Sequence, residues 1–103
     1  MEIIKEYSIQ NGKYTIIIEQ HEMRMSHMVN GFAIINIETK EFIINLLNSI
    51  WDFNGFKEEG KILIIQCRKY PYGQDYTITM NLLKGTMNFN GKKCKINQYK
   101  ELL

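Results

Sequence analysis

Both histidines of the chain lie in one nine-residue window, residues 20–28, which reads QHEMRMSHM. The window also holds three of the six methionines and one of the two arginines. Imidazole nitrogens and thioether sulfurs are ligands for Cu(I) and for borderline metals, so His21, His27 and the methionines could form a metal site. Their spacing matches no established ligand signature. We therefore expect packing contacts with a polar rim, and we predict no bound metal or other cofactor.

Glu22 and Arg24 stand two residues apart inside the same window. If the chain is extended there, they share one face, while His21 and His27 lie on the other. An exposed ion pair of this kind contributes only about 0 to 1 kcal/mol. The pair is therefore either an ordinary surface contact or, at the mouth of a barrel, a functional one.

Catalytic chemistry finds little support in the sequence. No serine or cysteine lies in a nucleophile elbow or in a triad context. The glycines stand singly at turns, so no phosphate-binding loop is present. Cys67 and Cys94 have neither redox nor metal-ligand spacing, and we expect both to be small reduced core residues. We predict that the protein is not an enzyme.

Short strands must position these residues. Seventeen isoleucines and a single proline favour strands, because β-branched side chains fit a pleated surface. The pairs Asn11-Gly12, Lys84-Gly85 and Asn90-Gly91 predict hairpin turns. The expected strands cover residues 2–9, 13–19, 32–37, 42–51, 61–69, 76–82, 86–90 and 92–97, followed by a terminal helical turn.

Residues 42–51 allow two interpretations. Ile43, Leu47 and Ile50 fit a helical stripe, whereas Phe42 and Ile44 fit an alternating strand. We favour a strand, because a short polar turn joins this segment to the preceding isoleucine-rich run and no capping box marks a helix start. We expect residues 54–60, which follow, to be a connection.

The pattern of strands and turns predicts one all-β domain over residues 1–103. We expect a mainly antiparallel meander of about eight strands, folded into a small barrel or sandwich with one short helix. The most consistently apolar runs should supply the core. The predicted core residues are Trp51, Ile62, Ile64, Ile65, Ile78 and Met80.

Charge and hydropathy limit the classes of partner. Five lysines in residues 84–103 interleave with Phe89 and Tyr99, a combination that can bind single-stranded nucleic acid. The net charge is only +2 and that region lacks arginine, so we predict no nucleic-acid partner and assign the lysines to guarding an edge strand. The N-terminus is charged and no apolar run approaches about 18 residues, which predicts a cytoplasmic protein without membrane contact.

Three short motifs occur in a fixed order: Glu22-Met23-Arg24-Met25, Trp51-Asp52 and Arg68-Lys69-Tyr70-Pro71. In these motifs the chain resembles a family of small bacterial β-rich proteins with Glu-x-Arg-Met, Trp-Asp and Arg-x-Tyr-Pro elements. The resemblance covers most of residues 14–83 and carries no catalytic residues over. Some small bacterial proteins of this size are immunity partners of secreted toxins, so the resemblance implies an immunity function by association.

We predict that the histidine window and the aromatic loop at residues 70–72 meet at strand ends and form a binding surface. The favoured function is a non-catalytic interaction protein, in concrete form an immunity-type protein that neutralises a bacterial toxin by binding it. The alternative is a small-ligand or metal-binding β-barrel, and the oligomeric state stays open. The predicted binding residues are His21, Glu22, Arg24, His27, Trp51, Tyr70 and Tyr72.

Overall fold

A computed structural model describes residues 2–23, 27–71 and 73–103, and these residues form two antiparallel sheets. The first sheet is β1 (Glu2–Ile9), β2 (Tyr14–Glu22), β3 (Met28–Asn36) and β4 (Phe42–Leu46), in sequence order. The second is β5 (Trp51–Glu59), β6 (Ile62–Lys69), β7 (Gln74–Asn81), β8 (Thr86–Phe89) and β9 (Lys92–Lys95), again in order. A 3₁₀ helix, Ile96–Glu101, follows β9. Within the described residues no helix is long and apolar enough to span a bilayer.

Alternation along the strands builds the core, because successive side chains point to opposite faces of a sheet. In β7, for example, Ile78 and Met80 are fully buried while Thr77 and Thr79 are half-buried on the outer face. The inner faces of both sheets contribute to one hydrophobic cluster. Its largest fully buried members include Ile9, Ile16, Phe32, Ile34, Ile44, Leu63, Ile65, Ile78 and Met80.

The two sheets pack face to face, and β5 crosses the inner face of the first sheet. At its start, the rings of Phe53 and Phe32 of β3 lie 5.5 Å apart. Further along, the ring of Phe56 meets Tyr7 of β1 at 5.2 Å. The predicted all-β antiparallel architecture is confirmed in the form of a sandwich; the sheets do not close into a barrel, since β1 and β5 remain unpaired edges.

The described residues form nine strands where the sequence predicts about eight, and β3 begins at Met28 rather than at residue 32. Two further segments differ from the sequence prediction. Residues 42–51 are a strand only over Phe42–Leu46, and the chain then turns at residues 47–50 before β5 begins. Residues 54–60, predicted as a connection, mostly belong to β5. The second half of β5 is an exposed sheet edge, so polar residues such as Lys57 and Glu58 stay in contact with water there. For this reason its sequence lacks the apolar alternation of a half-buried strand.

The core prediction is partly confirmed. Ile65, Ile78 and Met80 are fully buried and Trp51 is 4% exposed. Ile62 and Ile64 are only half-buried, because they occupy the outer face of β6 while Leu63 and Ile65 point inward. Because all four residues from Ile62 to Ile65 are apolar, the sequence alone does not show which of them point inward.

The predicted turn at Asn90 and Gly91 joins β8 to β9. The two residues have φ angles of 47° and 94°, and Phe89 pairs with Lys92 across the turn. A two-residue turn with positive φ at both positions is the type I′ geometry, which matches the twist of the flanking strands. The hairpin prediction is confirmed here.

Candidate functional site

The β2–β3 hairpin carries the histidine window to one end of the first sheet. Glu22 pairs with Met28 as the last register position, and the amide of Met23 donates to the carbonyl of His27 at 2.6 Å. These contacts fix both ends of the connection. Arg24, one of the predicted binding residues, lies outside the described residues, and so does its predicted pairing with Glu22.

The connection between β6 and β7 is held by two backbone bonds. The amide of Tyr70 donates to the carbonyl of Ile50 at 2.8 Å, and the amide of Gly73 donates to Lys69 at 2.9 Å. Gly73 has φ of 70°, a conformation that glycine adopts without strain. The Tyr70–Pro71 peptide is cis. Tyr72, also predicted to bind, lies outside the described residues.

The two connections meet, as the sequence predicted for His27 and Tyr70. Their rings contact edge to face, with centroids 5.8 Å apart and planes at 89°. Beside this contact is an open depression of about 410 Å³, which we call the end groove. Its described lining residues are His27, Met28, Val29, Asp52, Arg68, Lys69, Tyr70, Pro71 and Gly73.

Cross-strand register brings further residues into the end groove. Asp52 of β5 stands opposite Arg68 of β6, and Trp51 stands opposite Lys69. The Trp-Asp and Arg-x-Tyr-Pro motifs therefore lie side by side, and His27 touches the second of them through Tyr70. The sequence prediction of binding residues missed Asp52, Arg68 and Lys69, although all three belong to quoted motifs. Only the pairing of β5 with β6 could have indicated them.

The described lining of the end groove includes two cations, Arg68 and Lys69, and one carboxylate, Asp52. The Arg68 side chain is exposed, and the Lys69 ammonium lies 5.7 Å from the centroid of the Trp51 ring. Among the described side chains, Lys57 forms an ion pair with Glu59 and His21 contacts Glu19, and neither groove cation takes part in such a contact. Asp52 accepts a hydrogen bond from the amide of Asn30 at 2.9 Å.

His21 belongs to a buried cluster under the 47–50 turn. Its Nδ1 lies 2.7 Å from Oε1 of Glu19, and its Nε2 lies 2.9 Å from the carbonyl oxygen of Ser49. The same Glu19 oxygen accepts from the amide of Asn48 at 2.6 Å. Glu19 is fully buried and His21 is 6% exposed. The two side chains thus hold the turn against β2 and β3.

Two predicted binding residues are therefore placed in the interior, which corrects the sequence prediction. Both ring nitrogens of His21 are occupied by the fold, so the imidazole is open neither to a metal nor to a surface contact. Trp51 packs edge to face against Tyr76 and Phe89, with centroids 5.1 and 5.5 Å away. Sequence reasoning assigned Trp51 to both core and surface, and the structure places it in the core.

Of the remaining candidates for metal chemistry, Met25 lies outside the described residues. Glu22 is exposed at the end of β2, and Met28 is 50% exposed at the start of β3. In the part of the chain that the structure describes, no three His, Cys, Asp or Glu side chains form a metal-binding group.

Cys67 is a buried thiol on the inner face of β6. Burial, with a smaller contribution from the negative charge of Asp52, raises the pKa of Cys67 to about 12. Since the thiolate is the reactive form of cysteine, this side chain is chemically inert in the folded protein.

Comparison of the chain with protein-family models, with curated proteins and with solved structures found no match. The functional assignment therefore depends on the geometry of the end groove.

Proposed function

We propose that the chain is a non-catalytic binding protein whose end groove receives an acidic segment of a protein partner. The observation that carries the proposal is the presence of two cations, Arg68 and Lys69, in a groove where neither forms an ion pair with a described side chain. Guanidinium groups bind carboxylates through two parallel hydrogen bonds. An acidic partner would therefore gain directional contacts at Arg68 and a second favourable charge at Lys69.

The other groove residues suit a protein contact. Tyr70 and His27 present aromatic surface, and Met28 is a half-exposed, adaptable apolar side chain. Aromatic residues, methionine and arginine are enriched in protein interfaces relative to the rest of a protein surface. The groove stands on the ends of paired strands, so its cations are presented by a rigid scaffold.

Two observations favour binding over catalysis. Glu19 and His21, which are at hydrogen-bonding distance and could exchange a proton, are buried with both imidazole nitrogens engaged. The Cys67 thiol stays protonated at neutral pH because its pKa is raised to about 12. Neither group is available to a substrate in this fold.

The alternative of a ligand- or metal-binding barrel loses its geometric basis. That alternative places His21, Glu22, Arg24, His27 and Trp51 at the mouth of a barrel. The sheets are open, and His21 and Trp51 are buried.

The concrete form that we favour is a cytoplasmic immunity-type protein that neutralises a bacterial toxin by covering it. The motif resemblance to small bacterial proteins supports this form by association. Free Cys67 and Cys94 thiols suit a reducing compartment.

The test uses three versions of the protein as bait in a lysate of its native host: the wild type, Arg68→Glu and Lys61→Glu. Lys61 is an exposed residue in the turn at the opposite end of β6, so both variants change the net charge equally. We expect a partner retained by the wild type and by Lys61→Glu but lost from Arg68→Glu. Capture should also weaken as salt rises, because exposed charges are screened.

Equal retention by Arg68→Glu and the wild type would overturn the role of the end groove. The immunity form is tested separately by expressing the captured partner in cells with and without this protein. If the captured partner does not harm cells that lack this protein, the immunity form is contradicted and the binding result still stands.

A further inference from the structure

A second opening lies between the two sheets, along the seam where β1 faces β5. At one end the seam is bridged by the Tyr7–Phe56 ring contact and by two bonds from Gln10 to Oε1 of Glu58, at 2.8 Å from the amide and 2.9 Å from Nε2. Towards the other end, no hydrogen bond or ring contact joins the described residues of β1 to those of β5. There the seam widens into a cavity of about 330 Å³, which we call the seam cavity.

Irregularities in both edge strands flank this opening. The register of β1 against β2 shifts between Ile3 and Lys5, and that of β5 against β6 shifts between Phe53 and Gly55. An extra residue of this kind bends its strand and is frequent beside binding sites. Two such irregularities facing one cavity bend both strand edges at the same place.

The walls of the seam cavity are aromatic and aliphatic. Ile18 and Phe53 are nearly buried members of the core cluster, and Phe56 and Tyr7 add ring surface from the two edges. Ring faces and edges of this kind favour an aromatic body over a flexible chain. The volume lies at the lower end of the range for small-molecule sites.

Two polar groups give the seam cavity its chemistry. Lys5 stands opposite Ile18 in register, on the same face of β1 as Tyr7 and Ile9. Its side chain is exposed and forms no ion pair with a described side chain. Asn30 also lines the cavity, and its side-chain oxygen is buried without a hydrogen-bond partner among the described residues. A buried acceptor left unbonded costs about 1 to 3 kcal/mol, so a donor supplied by a ligand would remove that cost.

We propose that the seam cavity binds a small aromatic carboxylate that also carries an N–H or O–H donor. The aromatic ring lies among Phe53, Phe56 and Tyr7, the carboxylate faces the Lys5 ammonium, and the donor bonds to the Asn30 side-chain oxygen. The competing explanation for Lys5 is a charge that keeps an edge strand from pairing with other chains. That explanation requires no ligand.

The probe is indole-3-acetate, titrated calorimetrically into the wild type, Lys5→Glu and Lys13→Glu. Lys13 is exposed in the β1–β2 turn outside the cavity, so it controls for the change in net charge. We expect the affinities of the wild type and of Lys13→Glu for indole-3-acetate to agree within about twofold. The affinity of Lys5→Glu should be lower by about tenfold or more, which is the effect of losing one charged hydrogen bond. The uncharged indole-3-acetamide should lose a similar factor on the wild type.

No binding to the wild type, or equal binding to Lys5→Glu, overturns the proposal. Lys5→Gln, which removes the charge without reversing it, repeats the test if Lys5→Glu shifts the denaturation midpoint. The role of Asn30 is read from 1-methylindole-3-acetate, which lacks the donor and should bind the wild type more weakly. Equal affinity for the two acids overturns the assignment of Asn30.

Discussion

The contacts of His21 fix the position of one proton and restrict the position of a second. The carbonyl of Ser49 can only accept, so Nε2 of His21 must carry a hydrogen. The 2.7 Å contact between Nδ1 and Oε1 of Glu19 then requires one shared proton, on either the imidazole or the carboxyl group. In both arrangements the pair is neutral overall. The pair therefore carries no net charge into the interior, although Oε2 of Glu19 is buried without a hydrogen-bond partner among the described residues.

Removing His21 should cost more free energy of unfolding when Glu19 can carry a charge than when it cannot. We expect His21→Ala to lower the free energy of unfolding by about 3 to 5 kcal/mol, because it strands the buried Glu19 carboxylate. In a Glu19→Gln background no charge is stranded, and the same substitution should cost clearly less.

Urea denaturation of the two single variants and the double variant measures this difference. His27→Ala serves as the control: His27 is exposed, and the loss of its ring contact with Tyr70 should cost only about 1 kcal/mol. If His21→Ala costs the same in both backgrounds, the charge of Glu19 is not what the histidine neutralises.

Among the structural elements, the 47–50 turn shows why a single glycine matters. Gly31 pairs with Glu19 in the β2–β3 ladder, directly beneath this turn. A Cβ at Gly31 would meet Oε1 of Glu19, would lie 2.8 Å from the carbonyl oxygen of Leu46, and would lie 3.1 Å from the amide nitrogen of Asn48. The turn can approach β3 so closely only because no side chain intervenes.

We expect Gly31→Ala to destabilise the protein, since the added methyl group displaces both the turn and the Glu19 bonds, at a cost of about 1 to 3 kcal/mol for an overpacked site. Gly55→Ala is the matched control. Gly55 is also in a strand, and a Cβ there meets nothing within 4 Å. Thermal unfolding of the two variants decides the point, and equal midpoints would contradict the close approach.

The elements also show how far the sequence could predict this structure. Hairpin turns such as Asn90-Gly91 and alternating strands such as β7 depend on local chemistry, and both were predictable. The 47–50 turn was not, because its position depends on Gly31, Glu19 and His21, which are distant in the chain. The same holds for the site. The contact of His27 with Tyr70 was predictable, because both residues lie at strand ends, whereas the place of Arg68 in the groove depends on its register with Asp52, which the sequence does not show.

At the scale of the whole molecule, the end groove and the seam cavity are separate openings joined by one hydrogen bond. Asn30 lines the seam cavity, and its amide donates to Asp52, which lines the end groove. The charged residues that define the two sites, Arg68 and Lys5, lie on different sheets. Each charge reversal therefore tests one opening without altering the lining of the other.

The order of strands in the two sheets has a consequence for how the chain can be divided. Residues 2–46 supply the described strands of the first sheet and residues 51–95 those of the second, so no ladder between described strands joins the two halves. The backbone bond from Tyr70 to Ile50 lies outside these ladders. The core, however, is shared by both. We expect peptides 1–50 and 51–103 to be unfolded separately and to regain β-sheet circular dichroism when mixed. A peptide that is ordered on its own, or a mixture that does not regain the β-sheet signal, would contradict this expectation. If the halves do reassemble, the protein can serve as a split reporter, because each half contains the strand pairing of its own sheet.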